Sequence, residues 1–408
     1  MNRIICALCC AVLVLLSAFT AAADRGTPEI LPEQQTREAS AIIRVAGDFV
    51  IHQPVFESAL RAGGGKVYEF SAMLEEVAEY LSEADFTVTN IDGVLGTPGF
   101  VKKHGIAGYP SFSTPANLAY DLKECGVDLL TLANNHALDF WFDGLKSTVT
   151  TVKEAGLYSV GGYRTQEERN TPCTVDINGI RFGFLNYTDG LNQMDKRPAL
   201  DKDALKYGVC FTDYWDVPSD VRRLKDAGAE IIVCFMHWGI EYRTEPCKSQ
   251  LANAQLLADA GVDVIIGGHP HVVERAEYIH TKDSSGRDKQ VLCLFSLGNF
   301  LSDQRAAGRD CGMIFEFTVT RDENGAISVS APVYRTTYVW RKVLNAGGYA
   351  YKVLFSDWGA ARPDGMSQHE YGRMLQSALD TDAVMSAGVA RHAEQAAKTD
   401  DAPELRLR

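Results

Sequence analysis

Positive charge is what this chain holds least of. Its 408 residues carry 40 Lys+Arg against 53 Asp+Glu, a net charge of −13. That balance excludes broad attraction to nucleic acid or anionic lipid, so a polyanionic substrate has to be drawn in locally, by a metal or a small basic patch. No internal repeat is visible, which removes solenoids and propellers. Beyond residue 19 no apolar run is long enough to span a membrane. Gly63-Gly64-Gly65-Lys66 lacks the spacing and the following Ser/Thr of a phosphate-binding loop and reads as a flexible loop. With 46% apolar, 23% charged and 10% aromatic residues, collagenous, low-complexity and wholly disordered classes also fall away.

What is present starts at the amino terminus. Met1 to Arg3 gives a short positive start, an apolar run follows from Ile4 to Phe19, and Ala21-Ala22-Ala23 closes it before Asp24. This is the pattern of a secretory signal, and its 16-residue run is short of the roughly 20 that a spanning helix needs. The expectation is an exported, extracytoplasmic protein of the cell envelope or periplasm, with an uncleaved membrane anchor as the alternative. Removing residues 1–23 shifts the net charge to −14 and leaves seven of the ten cysteines, an odd number. Cys234 and Cys293 lie in apolar runs and read as packed side chains, whereas Cys173, Cys210, Cys247 and Cys311 are candidates for pairing.

Residues 24–40 are polar with two prolines and read as a linker. From Ala41 to Trp340, short β-branched runs (IIRVAG, FTVTNI, DLLTLA, EIIVCFM, DVIIGG) alternate with stretches of helical spacing, several ending in Gly. This alternation predicts an α/β domain with a mainly parallel sheet, and added runs such as IRFGFLNY, QVLCLFSLG and MIFEFTV suggest a mixed or two-sheet core. Residues 341–408 are Ala-rich and polar and read as a helical C-terminal extension, with a frayed tail as the alternative.

The chemistry is expected where the strands end, because carboxyl ends of strands line the ligand crevice in open α/β sheets. Five predicted strands deliver metal-type side chains there: Asp48, Asp92, Asn135 with His136, His237, and His269 with His271. Each alone is a turn residue or a half-buried histidine, but the types and their order together point to a metal site. Two carboxylates, an amide oxygen and three imidazoles suit two divalent ions (Mn, Fe, Zn or Mg) sharing a bridging carboxylate. His136 is then free to protonate a leaving group, with Asp139 orienting its ring. Asn134, Ser296 and Asn299 are candidate substrate contacts. Lys102-Lys103-His104 reads as a solvated charge run, with an anion-gripping lid as the alternative.

Taken in order, GDFVIHQ, NID, LANNHALD, MHWG, GGHPHVVE and SLGNF resemble the motifs of the CapA-type capsule (poly-γ-glutamate) synthesis family, which is similar to the calcineurin-like metallophosphoesterases. The resemblance covers roughly residues 42–335. It implies a four-layer α/β/β/α fold and a dinuclear centre with Asp48 as first metal aspartate and Asp92 as bridging carboxylate. It likewise implies Asn135, His237, His269 and His271 as further ligands and His136 as the catalytic histidine. Three positions depart from the pattern. Asp92 stands where the family has Glu, one methylene longer. Val50 takes the place of the histidine in the Asp-x-His of ordinary metallophosphoesterases, leaving His52 as a substitute or a solvated loop residue. Trp141 replaces a glycine and would set a bulky ring near the site. The expected function is capsular-polymer synthesis, export or anchoring through hydrolytic or transfer chemistry on an anionic polymer or phosphoester, with membrane capsule-synthesis proteins as partners. The alternatives are an envelope phosphoesterase unrelated to capsule and a non-catalytic polymer-binding scaffold.

Overall fold

The computed structural model describes residues 38–357 and 360–396, so the signal-like segment and most of the expected linker lie outside the described residues. Seventeen strands, numbered β1 to β17 along the chain, form two large sheets and one small one among the described residues. The first sheet runs β17 (Tyr349–Phe355), β16 (Val333–Val343), β14 (Cys311–Arg321), β1 (Ala39–Phe49), β2 (Phe86–Ile91), β5 (Leu129–Thr131), β6 (Tyr158–Val160). Beside it, β13 (Asn299–Leu301) pairs with the end of β1, and β15 (Ile327–Val329) pairs with β14. The second sheet runs β11 (Val273–Lys282), β12 (Asp288–Leu297), β10 (Val264–Gly268), β9 (Ile231–His237), β8 (Ile180–Thr188), β7 (Thr174–Ile177). β3 (Val94–Gly96) and β4 (Ser113–Pro115) form a small parallel pair.

The centre of each sheet is parallel: β1, β2, β5 and β6 in one, β8, β9, β10 and β12 in the other. Parallel strands need both faces covered, which is why their sequences are continuous apolar runs instead of alternating ones. The inner faces meet through Val45, Phe86 and Val88 from one sheet and Phe184, Val233 and Ile266 from the other, all buried. Phe86 stacks on Phe184 with ring centroids 5.3 Å apart. Outside the first sheet, helices Ser71–Ser82 and Trp141–Glu154 bury Leu74, Val77, Leu145 and Val152. Outside the second, helix Val217–Asp226 buries Val221 and Leu224, its start capped by the Asp216 side chain accepting from the Ser219 N–H. The result is the expected α/β/β/α layering.

Two boundaries differ from the sequence reading. β1 begins at Ala39, and the first sheet does not stop near residue 340 but continues through β17. Tyr351, Val353 and Leu354 are buried, the first two in one core cluster and Leu354 in another, so YAYKVLF is a strand packed on both faces near its end. The helical part follows as Gln368–Ala396. Buried Asp310 clasps it to the sheets, pairing with Arg373 of that helix at 2.7 Å and with Arg305 at 3.2 Å. The seven described cysteines are all free thiols, so the pairing considered for Cys173, Cys210, Cys247 and Cys311 does not occur.

Candidate metal centre

Asp48 is the penultimate residue of β1, Asp92 lies directly after β2, Asn135 and His136 four and five residues after β5, His237 at the end of β9, and His269 just after β10. Within each sheet adjacent parallel strands end level, which sets Asp48 beside Asn90 across β1 and β2 and Gly268 beside His237 across β10 and β9; the packing of the two sheets brings the two sets together. Gly268 leaves room for the first carboxylate, since a Cβ there would lie 2.7 Å from Asp48 Oδ1. His269 (φ 94°) and His271 (φ 57°) both hold left-handed backbone conformations. Each costs a non-glycine residue on the order of 1 kcal/mol or more, strain of the sort that collects at functional sites.

The side chains converge on Asp92 from two directions. Asp48, Asp92 and His271 are buried, and one ligand atom from each lies within 4.8 Å of the others, a group able to hold a metal ion. His271 Nε2 is 3.8 Å from Asp92 Oδ2, and His271 Nδ1 is 3.7 Å from Asp48 Oδ2. On the opposite side His237 Nε2 is 3.8 Å from Asp92 Oδ1, 2.8 Å from Asn135 Oδ1 and 3.1 Å from His269 Nδ1. Neither oxygen of Asp92 has a hydrogen-bond partner, although the residue is 1% exposed. Buried polar atoms are paired in the great majority of cases, so two orphaned oxygens on one carboxylate between two sets of neutral nitrogens have the chemistry of a cation site.

The electrostatics agree. Burial pushes Asp48 up to about 6, against hydrogen bonds from the His269 N–H and Asn90 that favour its charge. Burial also raises Asp92, to about 8, with the nearby Asp48 charge adding to the effect. Burial lowers His269 to about 4 and His271 to about 3, and it takes His237 well below its ordinary value with help from His269 and His271. Neutral imidazoles and carboxylates short of a counter-charge are the forms that a divalent ion binds.

His136 behaves differently. Its Nδ1 is 2.8 Å from Asp139 Oδ2, which also accepts from the Phe112 N–H at 2.6 Å. Burial alone would lower this imidazole, but the hydrogen bond to Asp139 and the Asp92 charge outweigh it, and the net shift is upward. With the carboxylate accepting at Nδ1, a protonated ring holds its second proton at Nε2. The ring faces a cleft of about 530 Å³ lined by His52, Tyr109, Asn192, Arg197, Tyr242 and His271, among others.

All eight residues expected as ligands or catalytic pair therefore gather at one place. The three expected substrate contacts do not reach the cleft. Asn134 is fully buried, its Nδ2 donating to the Ile91 carbonyl at 2.6 Å and its Oδ1 accepting from the His136 N–H at 3.0 Å. Ser296 is fully buried, its Oγ donating to the Val272 carbonyl. Asn299 is fully buried, its Oδ1 3.1 Å from His271 Nδ1 and its amide donating to the Arg309 carbonyl at 2.8 Å. They fix the backbone around the site instead. Trp141 starts its helix on the surface, 41% exposed, and is absent from the cleft lining. His52 is no solvated loop residue: it lines the cleft, with its ring edge-on to Phe112 and Nδ1 3.0 Å from the Val50 carbonyl oxygen. Lys103 and His104 lie on helix Pro98–His104 and pair with Asp143, the solvated reading.

Sequence reasoning missed two amides. Asn90 donates to Asp48 Oδ1 at 2.9 Å, lies 3.4 Å from His237 Nδ1 and accepts from Thr131 Oγ1. A polar side chain inside the buried run FTVTNI was the available signal. Asn192 comes from a loop without pattern. Its Oδ1 accepts from Asn135 at 3.1 Å, and its Nδ2 is 3.3 Å from both ring nitrogens of His136.

Fold and site together define a two-sheet α/β protein with a buried carboxylate–imidazole cluster able to hold a metal. The model of the family "Bacterial capsule synthesis protein PGA_cap" matches residues 42–304, and the chain belongs to that family. It is similar to the capsule biosynthesis protein CapA of Bacillus anthracis, 27% identical over 285 residues, covering 68% of this chain and 64% of that one. It is likewise similar to the PGA biosynthesis protein CapA of Bacillus subtilis (strain 168), 29% identical over 213 residues, covering 51% of each. The chain thus spans less than two thirds of these relatives' length. Among solved structures, a Haemophilus influenzae NAD nucleotidase aligns at 12% identity and TM-score 0.42, covering 89% of this chain and 68% of that one. Among the described residues no helix is long and apolar enough to cross a membrane.

Proposed function

We propose that this chain is an exported, metal-dependent protein that acts on an anionic ester, phosphoester or γ-amide bond in the making, export or anchoring of a capsular polymer such as poly-γ-glutamate. The family and its capsule-related relatives support the pathway. The observation that carries the chemistry is Asp92, buried with both oxygens unpartnered between His237 and His271. In this reading the site takes two divalent ions, Mn, Fe, Zn or Mg. Asp48, Asp92, Asn135, His237, His269 and His271 would hold them. Bound there, such ions supply Lewis-acid polarisation of a substrate oxygen and a nucleophile from water at neutral pH.

The chain's own residues do the rest. Asp139 holds the His136 ring, favours its charged form and leaves the proton on Nε2 to pass to a leaving group. Asn192 fixes the face of that ring, and Asn90 and Asn299 hold Asp48 and His271. Membrane-bound capsule-synthesis proteins are the partners this role calls for.

The test is elemental analysis of the secreted, tag-free protein after dialysis, beside the Asp48→Ala/His269→Ala double variant. Close to two transition-metal ions per wild-type chain, lost in the variant, is the expected result. No bound ion after Mn²⁺, Fe²⁺ or Zn²⁺ is supplied would sink the proposal. A secreted form beginning at Asp24 is the corresponding expectation for export.

A further inference from the structure

The loop that follows β8 is held at a cost. Asn192 (φ 48°) and Gln193 (φ 62°) are consecutive left-handed residues, neither of them glycine. The strain delivers the Asn192 amide to both Asn135 and His136, so the loop is tied to the site by side-chain hydrogen bonds. Five residues after Asn192 the same loop presents Arg197. Its backbone is also fixed, with the Arg197 N–H donating to the Met194 carbonyl at 3.0 Å and the Leu200 N–H donating to the Arg197 carbonyl at 3.1 Å.

Arg197 is the permanently charged cation among the residues that line the cleft. Two carboxylates line it too: Asp139, which is taken by His136 and the Phe112 N–H, and Glu241. The guanidinium of Arg197 pairs with no carboxylate among the described residues. Across the cleft, Arg309 stacks on the Tyr242 ring at 3.3 Å, which adds positive charge behind a lining residue. In a chain of net charge −13, an unpaired guanidinium held over a cleft is the local basic feature that an anionic substrate needs.

We propose that Arg197 is the oxyanion-recognition residue of this cleft, receiving a carboxylate of a γ-linked glutamyl chain whose scissile bond lies at His136. The identity of that anion rests on the capsule-polymer reading; the existence of an anion subsite does not.

The test measures binding to the full-length, Mn²⁺-loaded protein by calorimetry, with three probes: a short γ-linked oligoglutamate, the same oligomer with its α-carboxylates amidated, and inorganic phosphate. Arg197→Gln is expected to weaken oligoglutamate binding by about 10- to 100-fold, the size of a lost charge-assisted pair, and to leave the amidated oligomer unaffected. Arg197→Lys should recover part of the loss. Equal oligoglutamate affinity in wild type and Arg197→Gln overturns the proposal. Wild-type binding of phosphate but not of oligoglutamate, with the phosphate lost in Arg197→Gln, upholds the oxyanion role and overturns the capsule-polymer reading instead.

Discussion

Replacing Asp92 with asparagine should make the metal-free protein more stable, and the reversal of that order by metal is the sharpest check on the site. In the wild type this carboxylate is 1% exposed, has no hydrogen-bond partner for either oxygen and faces a second buried carboxylate, Asp48. Holding it in a state that titrates at about 8 against an ordinary 3.8 costs, at pH 7, about 1.4 kcal/mol for each of roughly three pH units, on the order of 4 kcal/mol. Asparagine has the same shape and carries no charge to desolvate. For a chain of this size 1 kcal/mol moves Tm by roughly 1–2 °C, so EDTA-treated Asp92→Asn should melt about 4–8 °C above EDTA-treated wild type. Excess Mn²⁺ at about a thousand times Kd adds on the order of 4 kcal/mol per bound ion to the wild type and little to the variant, which reverses the order. Differential scanning calorimetry in both conditions reads the four values. A metal-free variant that melts at or below metal-free wild type would refute the account of Asp92 as a carboxylate built for a cation.

Other expectations follow from the same geometry. Asn135→Ala and His269→Ala should lower metal content, whereas His136→Ala should keep its metal and lose at least about 100-fold in turnover on whichever phosphoester or γ-glutamyl substrate the wild type cleaves. Gly268→Ala pushes a methyl to within 2.7 Å of Asp48 Oδ1 and should cut metal content while circular dichroism stays unchanged. Glu274 is fully buried, with one oxygen unpaired and Gln250 on the other, and burial lifts it to about 7. Because that folded-state value is raised, its destabilising effect is absent below about pH 4.5, grows as pH rises and is complete above about 7. Glu274→Gln should therefore gain stability relative to wild type between pH 5 and pH 8, by on the order of 1–3 kcal/mol in urea melts.

The parts of the site that lay open in the sequence are those set by strand ends. Parallel strands that end level within each sheet set Asp48 beside the end of β2 and His237 beside the end of β10, and short β-branched runs mark those strands. Residues delivered by irregular backbone were less legible. Asn192 reaches His136 only through two left-handed residues that no pattern announces. Asn134 and Asn299 carry polar side chains next to the site, and sequence alone does not separate a group aimed into a cleft from one satisfying a buried carbonyl. His52 was open to two readings, and the solvated one fails because Phe112 packs against the ring. In the fold, β17 is less legible because its apolar stretch is short and lies beyond the last motif.

The free cysteines carry a consequence for how this protein is made. Cys125, Cys210, Cys234, Cys293 and Cys311 are buried, and burial pushes Cys125 and Cys210 up to about 11 and Cys311 to about 12, so almost none of their thiolate exists at neutral pH. The native state therefore asks for no oxidant, and these five buried thiols offer little to one. Because all seven described cysteines are free, the chain should refold from denaturant in the presence of a thiol reductant to the native state, and its maturation need not wait on disulfide-forming enzymes in whichever compartment it folds.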